Sequence, residues 1–538
     1  MRMKLIPCRH LILILGDQLD EKSSAFDGID PAQDVVLMVE ALEESTHVWS
    51  HKIRTTLFLS AMRHFAQALQ QRTVPLRVDY RSLDKEGDST LAAGLLAAIE
   101  KYQPLHVIGV EPGDMRVRQQ IEDAIDLIAS PAQSAGATGS KVSENTPKIT
   151  LEWREDKHFL CSQASFRQWA GQSTSLRMEF FYRLMRKQYK VLMEGDQPVG
   201  GQWNYDAENR KGFGKAGPQA VPQALVFESD SITQDVMALV EQRFTEHPGS
   251  LQNFNWPVTR TQALHALHDF IAHRLPLFGA HQDAMWTKLD FGWHALLSSS
   301  LNLKLLNPLE VVQAAEQAYT ARGLDLASVE GFIRQVLGWR EFMRGVYFLD
   351  MPTLKTANHY GHTNALPKWY WSGDTNMNCM RQSLSQTLAN GYSHHIQRLM
   401  VTGMFGVTAQ LSPQALCDWY LAVYVDAVEW VELPNTAGMA LFANGGRFTS
   451  KPYVASGAYI KRMSNYCSGC KYEPETRVGP QACPMTTLYW NFLDQHEATF
   501  GSNPRTALMV KNLQRMTPEL RGQVRERAAQ MLADLDSL

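Results

Sequence analysis

Three cysteines in a Cys467-x2-Cys470-x12-Cys483-Pro484 run, with a fourth far upstream at Cys379, restrict how the C-terminal part of this chain can fold. Thiols that ligate one centre must be brought together, so the segments carrying them must meet. Seven Cys in 538 residues are too few for a disulfide framework, and this clustering exceeds what scattered core thiols would give. Four thiolates read as a metal or iron–sulfur site. The spacing leaves zinc in a closed tetrahedron and a [4Fe–4S] cluster both open, although a Cys-Pro ending and a distant extra Cys suit the cluster better.

The length exceeds what one core organises, so two or three domains are expected. An apolar fraction of 44% and a charged fraction of 20% are those of a folded globular protein. A net charge of −3 argues against a uniformly basic nucleic-acid binder but leaves room for a local basic face. No secretory leader and no bilayer-length apolar stretch is evident, and with reduced cysteines this predicts a cytoplasmic protein without a membrane partner. Nothing points to an obligate protein partner, and a monomer is expected.

The run Leu11-Ile12-Leu13-Ile14-Leu15, ending in Gly16-Asp17-Gln18, reads as a buried parallel strand followed by a turn. Further apolar runs at 34–39, 76–80, 106–110 and 149–153 alternate with helical patterns at 55–71 and 91–102, which predicts a doubly wound α/β domain over 1–162. A Ser-, Gly- and Ala-rich stretch at 130–148 reads as a surface loop inside it. Residues 163–256 read as a connector between domains. From 257 to 538 the periodicity is almost wholly helical, with amphipathic spacing at 263–274, 308–321, 329–348 and 413–425.

Within that helical part, Leu297-Ser298-Ser299-Ser300-Leu301-Asn302, Val336-Leu337-Gly338-Trp339-Arg340-Glu341-Phe342 and Tyr392-Ser393-His394-His395-Ile396-Gln397-Arg398-Leu399-Met400 occur in an order that resembles the flavin-binding helices of the photolyase/cryptochrome family. With Asp418-Trp419-Tyr420 lying between Cys379 and Cys467, the four cysteines narrow the resemblance to its iron–sulfur bacterial branch, the prokaryotic (6-4) photolyases. It implies an α/β antenna domain followed by an all-helical domain that holds FAD and a [4Fe–4S] cluster. It further implies light-driven electron donation to (6-4) photoproducts in UV-damaged DNA.

Residue by residue, the resemblance implies FAD contacts at Ser298, Asn302, Arg340, Arg398, Asp426 and Glu432. The Glu432 position departs from the Asn common in photolyases. The cluster falls to Cys379, Cys467, Cys470 and Cys483. An electron path runs through Trp419, Tyr420 and Trp371, and a divalent cation, magnesium, is implied at Asp206 and Asp283. A 6,7-dimethyl-8-ribityllumazine antenna would sit near Gly16, Asp17, Gln18 and Glu40, at the carboxyl ends of the strands. Opening a (6-4) lesion needs a proton as the electron arrives, and imidazole is suited to that. His395 lies three residues before Arg398 and shares its helical face, whereas His394 points about a quarter-turn away. Trp339 and Tyr453 are candidates for stacking on an extruded base, with Arg447, Lys451 and Lys461 as phosphate contacts. The competing readings are a photoreceptor without repair, a cyclobutane-dimer photolyase, and a light-independent DNA-binding protein.

Overall fold

Strand β1 (His10–Leu13) carries apolar side chains toward both of its faces, which is stable only at the centre of a sheet covered on both sides. The computed structural model describes residues 8–84, 88–129 and 149–538, so the expected loop at 130–148 lies outside the described residues. β1 is flanked by β2 (Val35–Val39) and β4 (His106–Val110), and β3 (Val78–Arg81) and β5 (Thr150–Arg154) form the edges. All four pairings are parallel, in the order β3-β2-β1-β4-β5. The order reverses between β1 and β4, so a crevice opens at their carboxyl ends.

One face of the sheet, with Leu11, Leu13, Val35 and Leu37, is covered by helices α2 (Leu91–Tyr102) and α3 (Met115–Ala129). The other, with Ile12, Ile14, Val36 and Met38, packs on α1 (Lys52–Gln70) and joins the apolar core of the helical part without a break. Among the described residues no helix is long and apolar enough to cross a membrane.

In the helical part, four stretches wind as π-helix: Phe270–Arg274, Arg334–Arg340, Arg398–Gly403 and Pro434–Ala440. The second carries Trp339 and Arg340 and the third begins at Arg398, residues that the sequence motifs single out. Such bulges are retained where a side chain must be re-aimed.

The two parts are locked along a polar seam. Glu429 accepts hydrogen bonds from the Tyr347 hydroxyl, from Lys355 Nζ at 3.0 Å and from the Met115 backbone N–H at 3.3 Å. Arg340 Nη2 donates to His158 Nδ1 at 3.0 Å, while His158 Nε2 lies 2.6 Å from the Leu306 carbonyl. Burial holds His158 well below its usual pKa, so it is neutral and its proton sits on Nε2, facing the carbonyl. Trp430 packs edge-on against Phe159 and lies over Gly113, where an added Cβ would stand 2.5 Å from Trp430 Cδ1. Gly113→Ala is therefore expected to wedge the seam and destabilise the fold by about 1–3 kcal/mol, read as a lower urea midpoint. An unchanged midpoint would mean that Trp430 is free to move aside.

Candidate active site

Arg398 enters an apolar interior where the helical turn His395–Gln397 passes into the π-helical stretch. A guanidinium there must be paired. Its Nη1 and Nη2 donate to Asp426 Oδ1 and Oδ2 at 2.9 and 3.2 Å, and Nε donates to the Ser393 carbonyl at 2.7 Å. The group also lies 3.8 Å from the centroid of the Tyr424 ring. Asn302 donates to the Asp426 carbonyl at 2.7 Å, which ties the short helix Ser298–Asn302 to the pair.

Several buried polar atoms around this pair have no protein partner: the hydroxyls of Ser299, Ser300 and Tyr424, His394 Nδ1 and Glu432 Oε1. Buried polar atoms are normally satisfied. Such a set suits a polar ligand such as FAD. Burial raises the Glu432 carboxyl well above the usual range, so it carries a proton and can donate a hydrogen bond.

His394 and His395 diverge, but His394 is the extended residue ahead of the helical turn His395–Gln397 and not a member of one helical face with Arg398. His394 is buried, with its ring stacked on His294 at 4.4 Å between centroids and 12° between planes, while His395 is exposed. Protein atoms crowded against the inner side of the His395 ring, with the Arg398 charge adding to their effect, lower it to about 4 even though the residue reaches solvent, and burial together with cationic neighbours lowers His294 to about 3. Both are uncharged at neutral pH. His294 was not singled out from the sequence; its position four residues before Ser298 was the available signal.

Gln397 anchors this turn. It donates to Gln386 Oε1 at 2.8 Å and to the Tyr466 hydroxyl at 3.1 Å, and accepts from the His394 N–H at 3.1 Å. Tyr466 and its neighbour Cys467 line a cavity of about 320 Å³ with Cys379, Cys470 and Cys483. All four cysteines are free. Burial and the mutual repulsion of the sulfurs raise Cys379 well above the thiol range and Cys467 to about 12; burial outweighs helix-end N–H bonds to hold Cys483 at about 11. Four thiolates in that space need a strongly charged metal centre. Among the described residues no three His, Cys, Asp or Glu, these thiols included, stand close enough to hold a single metal ion, so it is the chemistry of four thiols lining one cavity that suits an iron–sulfur cluster.

The aromatic residues form a connected line. Tyr424 lies 5.3 Å from Tyr420 and 5.8 Å from Trp419, and Trp419 lies 5.4 Å from Tyr420 and 6.4 Å from Trp371. The line starts at the Arg398 guanidinium and leads away from it.

In the α/β domain, Gly16, Asp17 and Glu40 line a crevice of about 850 Å³, counting the space open to solvent, together with Arg54, Thr55, Gly113 and Asp114. Arg54 Nε and Thr55 Oγ1 are buried there without partners, which suits a polar heterocycle such as the lumazine. Two expected contacts are already committed. Gln18 bridges β1 to β4 through the Leu15 N–H and the Val110 carbonyl. The Glu40 carboxylate is filled by Arg63, by Tyr80 at 2.5 Å and by the Leu83 N–H at 2.7 Å.

Other expected residues are also engaged elsewhere. Arg340 is held in the seam through Nη1 by Glu341 at 2.7 Å and through Nη2 by His158, while its Nε is buried without a protein partner. Arg447 pairs with Asp350, and Lys461 with Glu475 at 3.0 Å, which leaves Lys451 without a salt bridge among the described residues. Trp339 is half-buried against Phe342, and Tyr453 is half-buried near Asp206. The divalent-cation expectation does not fit: Asp206 is taken by Arg334 at 2.5 Å and Arg210 at 2.7 Å. Nearby Asp283 is raised by burial to about 6.

Comparison with known proteins agrees with this architecture. The family described as "Deoxyribodipyrimidine photo-lyase-related protein" matches residues 12–256. The chain is 44% identical to a (6-4) photolyase of Agrobacterium fabrum over 529 residues, covering 98% of this chain and all of the relative. A short protein of Acanthamoeba polyphaga mimivirus, R855, is 28% identical over 121 residues, 22% of this chain and 91% of its own length. A bacterial class III photolyase from Agrobacterium tumefaciens superposes with a TM-score of 0.53 at 14% identity, covering 99% of both chains. The cryptochrome of Synechocystis sp. PCC6803 does so with a TM-score of 0.53 at 12% identity, over 95% of this chain and all of its own. The chain therefore belongs to the photolyase-related branch of the photolyase/cryptochrome family, membership of which implies FAD binding.

Proposed function

We propose that this protein is a light-driven lyase that opens (6-4) pyrimidine–pyrimidone photoproducts in UV-damaged DNA. The observation that carries the reading is the open His395 ring beside the Arg398–Asp426 pair, with His394 and His294 packed behind it. Full-length similarity to a protein named as a (6-4) photolyase supports it.

FAD, when bound, supplies the light-driven electron donor. Ser299, Ser300 and Tyr424 offer hydroxyls to its polar groups, and the Arg398 charge stabilises negative charge that develops beside it. Glu432 keeps a proton available next to that charge. His395 holds a proton for the oxygen transferred between the two bases. Desolvation first and the Arg398 charge second keep His395 neutral, and DNA phosphate charge arriving beside the ring favours its protonated form against both as the lesion docks. Trp419, Tyr420 and Trp371 carry electrons inward to keep the flavin reduced. The crevice at the β1/β4 crossover holds the lumazine antenna.

Cys379, Cys467, Cys470 and Cys483 hold a [4Fe–4S] cluster, which supplies iron–thiolate bonds that join the helix Asn378–Asn390 to the segment ahead of the helix Pro484–Gln495. Cys470→Ala is expected to lose iron and the broad visible absorbance of the cluster, and to loosen the Tyr466–Gln397 contact, measured by iron content and thermal stability. Stoichiometric zinc in anaerobically prepared protein would contradict the cluster.

His395→Ala is expected to lower (6-4) repair by about 10²–10⁴-fold while FAD binding, photoreduction and lesion affinity persist, because acid–base assistance alone is removed. Repair at the wild-type rate, scored by product chromatography under blue light, would remove His395 from the reaction.

A further inference from the structure

We propose that Trp49 is the solvent-side terminus of the electron path, a role that rests on the photoreduction reading above. Trp49 belongs to the α/β domain, in the loop ahead of α1, and is 45% exposed. Its ring centroid is 4.8 Å from that of Trp371, closer than Trp371 is to Trp419 at 6.4 Å. The line from Arg398 through Tyr424, Trp419 and Trp371 thus continues across the domain boundary into water.

A second branch leaves Trp419 through Tyr370, at 5.1 Å, to Trp369, at a further 4.9 Å. It ends inside the protein: Trp369 is 2% exposed and its N–H is held by the Leu535 carbonyl at 2.9 Å. An indole that loses an electron becomes a cation, and a cation is far costlier in an apolar interior than in water. The oxidised site is therefore driven to the ring on the line most open to water, which is Trp49 rather than the half-buried Trp371.

The step balances as follows. Photoexcited oxidised flavin gains one electron, and the vacancy moves outward through Trp419 and Trp371. Trp49 gives one electron to Trp371, and its N–H proton passes to water. An external thiol then returns one electron and one proton to Trp49, restoring its N–H, and is itself left as a thiyl radical. Separated from the flavin by the whole line, the oxidised Trp49 survives long enough for a bulk reductant to meet it.

The test uses FAD-loaded, oxidised protein after a blue-light pulse, with transient absorption of the tryptophan radical followed at several concentrations of dithiothreitol. Trp49→Phe is expected to keep its flavin and thermal stability, to shorten the radical lifetime several-fold, and to weaken the dependence of photoreduction on thiol. Trp419→Phe, run in parallel, should abolish the long-lived radical. A Trp49→Phe radical with wild-type lifetime and thiol dependence, while Trp419→Phe remains blocked, would overturn the terminus alone. A silent Trp419→Phe would overturn the electron path itself and the terminus with it.

Discussion

A positive charge inside an apolar domain is tolerated only where its partners are fixed, and Arg398 imposes that condition on this protein. Its guanidinium uses both Asp426 oxygens, the Ser393 carbonyl and the Tyr424 face. Each contact recruits another element. Asp426 brings in the helix Ser298–Asn302 through Asn302. Ser393 places His394 and His395 immediately beside the charge, and Tyr424 begins the aromatic line. The π-helical start at Arg398 is the local distortion that aims the side chain inward. Removing one partner would leave a buried charge uncompensated, which is among the costlier defects a fold can carry.

The same turn connects the two chemical centres. Gln397 reaches Tyr466, whose backbone carbonyl accepts from Asn378, the neighbour of Cys379. The thiol cavity and the histidine turn are therefore joined by hydrogen bonds between side chains that have few alternatives. On the proposed function, a cluster held by these thiols would act as a structural clamp behind His395.

Much of this was legible because it depends on local pattern. The continuous apolar run at Leu11–Leu15 could only be a central strand, and the alternation of strands with helices fixed the parallel sheet. The cysteine spacing brought four thiols to one cavity. What escaped depends on long-range pairing. Arg340 looks like a phosphate fork in sequence, but His158, on the chain joining the two parts, claims it. Asp206 looks like a cation ligand until Arg334 takes its carboxylate. Glu40 ends a strand at a ligand crevice, yet Arg63 and Tyr80 use it to hold the sheet edge. His294 sat unnoticed because stacking across helices leaves no periodic trace.

The claim that this arrangement performs light-driven repair of one class of lesion is tested most directly with oligonucleotides that each carry a single defined photoproduct. They are incubated with reduced, FAD-loaded protein in blue light or in darkness, and the products are separated by chromatography. Restoration of the two pyrimidines from the (6-4) photoproduct, in light and not in darkness, is the predicted result. Repair of cyclobutane dimers alone, or of neither lesion, would contradict it.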